Sequence, residues 1–318
     1  VEELIRRSSQ ELAANPSRGR GPASPFSVHG QFRFVMRSFG GQDLTTDKSF
    51  ELEHLVLYLQ AQLTDNFRVR LTPGTSHTGA WFILEAAGVY RFAEWGEVTA
   101  GRFLVPFTGV HSWAFPSDTF IEPYLAPNSP KPFFYSPYWD EGVLVQGGFD
   151  FGSEDEHRLA YSAFVINGLD AQGLDGIHKR NIGDNNEDKT FGARASATFR
   201  LGEETQLTIG TAGMTGQYDA FDALDFWAVE GDVEFVTGPL SIYAEVDYRA
   251  NEISGTVVEN PAFTRIDDAR QLALKFRPSV RLFTGLTLFA QLDHLQVEQA
   301  PRTGGQFSVL ALGKETFA

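Results

Sequence analysis

WAVEGDVEFVTGPLSIYAEVDYR, residues 227–249, holds two alternating runs around Thr237-Gly238-Pro239. Before the turn, Trp227, Val229, Gly231, Val233 and Phe235 share one face, and Glu230, Asp232 and Glu234 share the other. After it, Leu240, Ile242, Ala244, Val246 and Tyr248 oppose Glu245, Asp247 and Arg249. A period of two is the signature of a β-strand, because successive side chains leave a pleated backbone on opposite sides. Here one side is apolar and the other ionised, so the two faces expect different surroundings.

The same pattern spreads outward from this hairpin. In FSVHGQFRFVMRS, Val28, Gly30, Phe32, Phe34 and Met36 alternate with His29, Gln31, Arg33 and Arg37. Phe191, Ala193, Ala195, Ala197 and Phe199 alternate with Arg194, Ser196, Thr198 and Arg200. In all, about fourteen strands are expected, centred near residues 32, 56, 69, 86, 100, 147, 161, 194, 209, 230, 244, 272, 288 and 311, with the pattern weakest near 69, 86 and 272. Tight turns at Thr64-Asp65-Asn66, 152–156, 201–204 and Thr237-Gly238-Pro239 interleave with long links at 39–47, 107–140, 168–187, 215–224, 250–265 and 295–305. Short turns on one rim and long loops on the other describe a transmembrane antiparallel β-barrel. Aromatics such as Phe26, Tyr90, Phe92, Trp95, Phe149, Phe151, Phe199, Phe235 and Tyr248 gather at strand ends, where an interfacial girdle would lie, and Phe317 stands next to the last residue. No proline is expected in mid-strand, as a hydrogen-bonded ladder requires. Periodicity alone does not say which face is inside, so a soluble sandwich or propeller remains the alternative architecture.

Composition removes several classes. Across 318 residues, 42% hydrophobic and 13% aromatic side chains describe a folding chain. With no cysteine, disulfides, thiolate metal sites, thiol nucleophiles and covalently attached c-type haem are excluded. A formal net charge of -15 speaks against a nucleic-acid partner. No apolar run is long enough for a transmembrane helix, and the acidic start Val1-Glu2-Glu3 is not that of a signal peptide, so export implies a signal already removed. The seven histidines show no zinc-ligand spacing, and neither GxSxG nor a phosphate-binding glycine loop occurs, so no enzyme activity and no cofactor are expected.

Residues 1–25 stand apart from the barrel region 26–318. VEELIRRSSQELAANP suggests a short helix, and SRGRGPASP a linker, serving either as a periplasmic tether or docking helix or as a free terminus. Asp184, Glu187 and Asp188 in DNNED have the oxygen density of a calcium site but not the EF-hand spacing; a solvated acidic loop is the simpler account.

The polar strand faces are the stronger candidates. A barrel of fourteen strands is too wide for side chains to fill, so inward polar residues would line water. Arg33, Arg37, Arg68, Arg70, Arg102, Arg194, Arg200 and Arg249 would then face Glu230, Asp232, Glu234, Glu245 and Asp247, together with Glu51, Glu53 and Glu97. Opposed basic and acidic walls set up a field that orients permeating solutes, although many of these charges would also pair with one another.

One further stretch needs a reason. Residues 106–137 hold seven of the fifteen prolines, and residues 107–139 hold ten aromatics with three charges, Asp118, Glu122 and Lys131. Leaving that apolar surface in water would cost of order 25 cal/mol per Å², so the segment must pack. It is expected to fold into the barrel and narrow it, with Asp118 and Glu122 its exposed charges; an outward cap is the alternative.

GRFLVPFTG at 101–109, DTFIEPYL at 118–125 and EGVLVQGGFDFG at 141–152 resemble the fifth strand, third loop and sixth strand of the phosphate-selective porin O/P-like family. FELEHLVLYLQAQLTDNFRVRL, ahead of them, is similar to that family's second and third strands. The resemblance implies an outer-membrane porin of Gram-negative bacteria, constricted by its third loop, with sixteen strands and a homotrimeric assembly. Phosphate selectivity does not carry over, because the chain has only six lysines and its loop has one cation against two acids. Arg102, at the matching end of strand five, is retained as a pore residue.

The expected function is passive diffusion of small hydrophilic solutes or ions through a water-filled barrel in outer-membrane lipid, weakly favouring cations. The alternatives are a barrel sleeve around a partner such as a multihaem cytochrome or surface lipoprotein, engaged by residues 1–25 or the loops, and a soluble β-rich binding protein.

Overall fold

A computed structural model describes residues 26–38, 48–76, 81–107, 139–152, 156–168, 187–217, 225–251, 269–283, 286–299 and 306–316, and these are all-β. The strands are β1 (Phe26–Ser38), β2 (Lys48–Gln62), β3 (Phe67–Ser76), β4 (Trp81–Ala93), β5 (Gly96–Leu104), β6 (Trp139–Phe151) and β7 (His157–Ile166), followed by β8 (Thr190–Gly202), β9 (Thr205–Gln217), β10 (Asp225–Thr237), β11 (Leu240–Asn251), β12 (Ala269–Phe283), β13 (Leu286–Gln299) and β14 (Gln306–Thr316). They form one fourteen-stranded sheet in chain order. Each strand runs antiparallel to its chain neighbours, and among the described residues no ladder joins β14 back to β1. Every expected strand centre falls inside a strand, and among the described residues there are fourteen strands rather than sixteen. Residues 1–25, Asp118, Glu122 and Asp184 lie outside the described residues, as does the expected infolding of the loop.

The links at one end of the strands are 63–66, 94–95, 152–156, 203–204, 238–239 and 284–285, none longer than a tight turn. At the other end they include 39–47, 105–138, 167–189 and 252–268. Chain reversals this short hold neighbouring strands in hairpins, which is why a meander forms without crossovers.

The two faces settle the question that periodicity leaves open. Along β10, Trp227, Val229 and Val233 are exposed, while Phe226, Ala228, Glu230, Asp232 and Glu234 are buried. Along β12, Leu274 and Phe276 are exposed while Ala273, Lys275 and Arg277 are buried. The charged face is therefore inside and the apolar face outside, the reverse of a soluble sandwich or propeller. Water would not tolerate Trp81 at 71% exposure beside Ile83, Tyr90, Phe92, Trp95, Phe149 and Phe191, all likewise exposed. Lipid would.

Two prolines depart from expectation by lying inside strands. Pro73 sits at a register shift between β3 and β4, and the β2–β3 ladder skips it, running from Val56↔Gly74 to Leu59↔Leu71. Pro278 lies opposite Ile242 of β11, but on the β13 side the ladder breaks between Phe276↔Leu292 and Ser279↔Phe289. In both cases the ring that cannot donate a hydrogen bond occupies a gap in the ladder.

The roots of the two longest links are tied together. Asp140, fully buried at the start of β6, accepts a hydrogen bond from the Gly168 N–H (2.9 Å) at the end of β7 and another from the Glu141 N–H (2.7 Å). Gly168 has a φ of 102°, and a Cβ there would strike Thr190, so no other residue fits.

The outward apolar face yields a direct test. Val229→Arg near the middle of β10 is expected to destabilise the barrel by about 2–4 kcal/mol in lipid vesicles, measured by urea unfolding. No loss would mean that this face does not meet hydrocarbon.

The charged inner face as candidate functional site

The register lines inward side chains into rows that cross the sheet. One row runs Arg91, Glu97, Gln146, Ser162, Arg194, Ala212, Glu230, Asp247 and Ala273, from β4 to β12. The next, toward the tight turns, runs Gly148, Ala160, Ser196, Gly210, Asp232, Glu245 and Lys275. Charge on the inner face is concentrated on β3–β5 and on β10–β12, with Arg194 on β8 standing among mostly small residues between them.

On β3–β5 the basic and acidic groups pair. Arg68 reaches Glu97 at 2.6 Å, whose other oxygen accepts from Gln146 Nε2 at 2.8 Å. Arg70 reaches Glu85 at 2.9 Å. On β10–β12, Glu230, Asp232, Glu234, Glu245 and Asp247 are all buried, with Arg249, Lys275 and Arg277 buried among the same strands. Lys275 Nζ stands 3.8 Å from Glu245, and Tyr243 donates its hydroxyl to the same carboxylate. Glu234 accepts from Ser241 Oγ at 3.4 Å, and the Arg277 guanidinium lies 4.4 Å over the Phe289 ring.

Arg194 connects β8 to this acidic wall across an intervening strand. Its Nη1 donates to Glu230 at 2.6 Å and its Nη2 to Asp232, so the guanidinium must cross β9. Ala212 and Gly210 are the β9 residues in its way. A Cβ at Gly210 would overlap both Arg194 Nη2 and Asp232 Oδ2, so the missing side chain is what makes room for the bridge. Both carboxylates are fully desolvated, and an ion pair there holds only while both partners remain.

Of the sequence candidates, Arg68, Arg70, Arg194, Glu230, Asp232, Glu234, Glu245, Asp247 and Arg249 come together on the inner face. Arg200 shares the parity of Arg194 but ends β8 exposed, its N–H donating to His157 Nδ1 at 3.3 Å. Arg33 and Arg37 sit on β1 opposite His54 and Ser49, and their side chains lie outside the described residues. Arg102 stands in register with Ala86 and Glu141, on the opposite parity from Phe103; its side chain is 13% exposed and pairs with Glu141 at 3.8 Å. Phe103, 1% exposed, takes the inward position instead. Glu187 and Asp188 are exposed, and among the described residues no three acidic or histidine side chains converge as metal ligands.

Sequence reasoning missed Lys275, Arg277, Glu85 and Tyr243. The signal for the first two was present, since Leu272, Leu274 and Phe276 alternate with Ala273, Lys275 and Arg277, but Pro278 makes this stretch resemble a strand end.

No protein-family model matches the chain, and no curated protein matches its sequence. Solved structures match its shape. Salmonella typhi OmpF in complex with daunomycin is 12% identical, with 92% of this chain and 86% of that one covered and a TM-score of 0.56. Outer-membrane expressed OmpT of Vibrio cholerae is 9% identical, with 93% and 84% covered and a TM-score of 0.52. At such identities the likeness is one of fold. The chain has the antiparallel architecture of outer-membrane β-barrels.

The bridge over β9 is testable as a unit. Arg194→Met, which strands two buried carboxylates, is expected to cost about 3–5 kcal/mol, and Gly210→Val a similar amount by evicting the guanidinium. The double variant should lose little more than either alone. Urea titration in vesicles would show additive losses if the glycine served another purpose.

Proposed function

We propose that this chain is a passive outer-membrane channel for small hydrophilic solutes or ions, its path lined by the inner-face charges and narrowed by the loop 107–140. One observation carries the proposal: a single fourteen-stranded meander turns its charged residues inward and its aromatic and aliphatic residues outward. An apolar exterior needs lipid around it, and ionised side chains facing the other way make a polar path possible across that lipid. The fold of outer-membrane barrels agrees with this placement. No step of the mechanism is covalent; solutes diffuse, and fixed charges set their preference.

Arg68, Arg70, Arg194, Glu230, Asp232, Glu234, Glu245, Asp247 and Arg249 are the proposed lining residues, with Arg33, Arg37 and Arg200 added from the sequence pattern. Asp118 and Glu122 are proposed for the constriction. Membership of the phosphate-selective porin O/P-like family, and the homotrimer it implies, rest on the resemblance in strands two, three, five and six.

Purified protein in planar bilayers should give discrete ohmic conductance with a reversal potential that favours cations in a salt gradient. Silence from protein that still shows heat-modifiable migration would favour a sleeve around a partner protein. Asp118→Asn with Glu122→Gln should reduce the cation preference; an unchanged reversal potential would place the loop outside the ion path.

A further inference from the structure

At the end of the strands that carries the long links, the outward side of β8–β10 holds an open groove. Phe191 on β8, Thr215 on β9 and Trp227 on β10 lie in one cross-strand row, which Ala250 on β11 continues. The two rings are exposed and stand on strands two spacings apart, about 10 Å. Between them Thr215 turns its hydroxyl to the Phe226 carbonyl at 2.9 Å, so the floor of the gap presents no competing donor. Tyr248 braces the far wall, its ring centroid 5.2 Å from that of Trp227. One step nearer the long links, Gln217 and Asp225 are direct partners, and Asp188 and Lys189 lead into β8 beside them. The resulting cavity of about 580 Å³ joins the two rings to these four polar side chains. It has the size of a small-ligand cleft, about 300–1,000 Å³. In the next row toward the middle of the strands, Ala193 beside Gly213 carries nothing larger than a methyl group, so the gap between the rings continues along the outward surface.

We propose that this groove binds a glycolipid, its sugar head among Asp188, Lys189, Gln217 and Asp225 and its acyl chain between Phe191 and Trp227. The inference goes beyond the channel function and does not rest on it; it needs only an outward face that meets lipid. The chemistry of the head follows from the charges. A phosphate would meet the carboxylates of Asp188 and Asp225, and an ammonium would meet Lys189. Sugar hydroxyls donate to carboxylates and accept from ammonium and amide groups at once, so a neutral polyhydroxyl head suits both signs. The chain follows from the walls, because aromatic rings at a membrane interface offer an apolar body to hydrocarbon while the polar groups beside them stay wet. A free sugar would leave the apolar gap unfilled, and a bare chain would leave the polar rim unmatched. Both parts of the ligand are therefore required.

The probe is dodecyl maltoside, added to the full chain folded in a polyoxyethylene detergent and followed by native mass spectrometry. One maltoside should be retained per chain. Dodecylphosphocholine, with the same tail, should be held about tenfold more weakly or less, and free maltose should not bind. Asp225→Asn and Trp227→Ala should each weaken retention of the maltoside about tenfold. Thr215→Trp, which fills the gap, should abolish it. Ile209→Trp, exposed on the same strand and face but nearer the tight turns, should leave it unchanged. Equal retention of the two detergents, or retention unaltered by Thr215→Trp, would overturn the proposal by reducing it to adsorption on an apolar surface. Should Thr215→Trp fail to fold, as judged by heat-modifiable migration, Asp225→Asn and Trp227→Ala decide the matter: weaker retention in both supports the site, and unchanged retention in either sinks it.

Discussion

Each strand from β2 to β13 directs its backbone donors and acceptors to its two chain neighbours, and the rest of the structure depends on that lateral ladder. In hydrocarbon an unsatisfied N–H or C=O costs several kcal/mol, so a strand that is to cross a bilayer must be paired on both sides. Each strand pairs with the next in sequence, through tight turns at one end and longer links at the other, and thirteen such pairings produce a meander. Once the ladder is set, side chains have only two destinations. A one-residue slip would exchange them wholesale, which is why register is strongly determined wherever the two faces are chemically unlike. The register shifts at Arg33/Phe34, Thr72/Pro73, Arg91/Ala93, Arg200/Gly202 and Arg281/Phe283 are local exceptions that the sheet absorbs.

Ordering by register also explains how an inner face this charged can fold. Cross-strand rows bring Arg68 toward Glu97 and Arg70 toward Glu85, so much of the charge is neutralised within the wall. Where opposite charges are not adjacent, a long side chain crosses a strand to meet them, and the crossed strand must then be nearly bare. Gly210 and Ala212 fill that role beneath Arg194. A glycine in a strand interior normally weakens it, and here the loss is offset by an ion pair that two buried acids require.

Most of the fold was legible in the sequence because each strand meets two different media, and alternation of Phe and Val with Arg and Glu encodes that contrast directly. What was not legible follows from physics that alternation does not carry. Which face points inward depends on the medium each face meets rather than on period. Arg102 was read with the polar strand faces and again by likeness to a strand end, but parity is counted from ladder partners, and Ala86 and Glu141 put it on the other parity from Phe103. Lys275 and Arg277 went unnoticed because Pro278 suggests the end of a strand, whereas the ladder tolerates it by leaving a gap toward β13. The Arg194 bridge was invisible for a different reason: a bond across two strands depends on the absence of a side chain at Gly210, and a single glycine has no periodicity. Tyr243 and Glu85 belong to the site only through cross-strand contacts.

Charge selectivity in such a wall is not a matter of counting. The whole chain carries a formal -15, yet the buried cluster on β10–β12 sets five carboxylates against Arg249, Lys275 and Arg277, with Arg194 reaching in from β8. A nearly balanced wall has little net field at a distance, because paired charges cancel within a few ångströms and salt screens the remainder over about 8 Å at physiological ionic strength. What a passing solute meets is the imbalance left at short range. On β3–β5 Arg68 and Arg70 engage Glu97 and Glu85 one to one, whereas on β10–β12 several cations are buried among five carboxylates. If solutes pass along this wall, their preference would follow from where its charges pair rather than from composition, and a substitution within the buried cluster would alter it more than one that changes the net charge of an exposed loop.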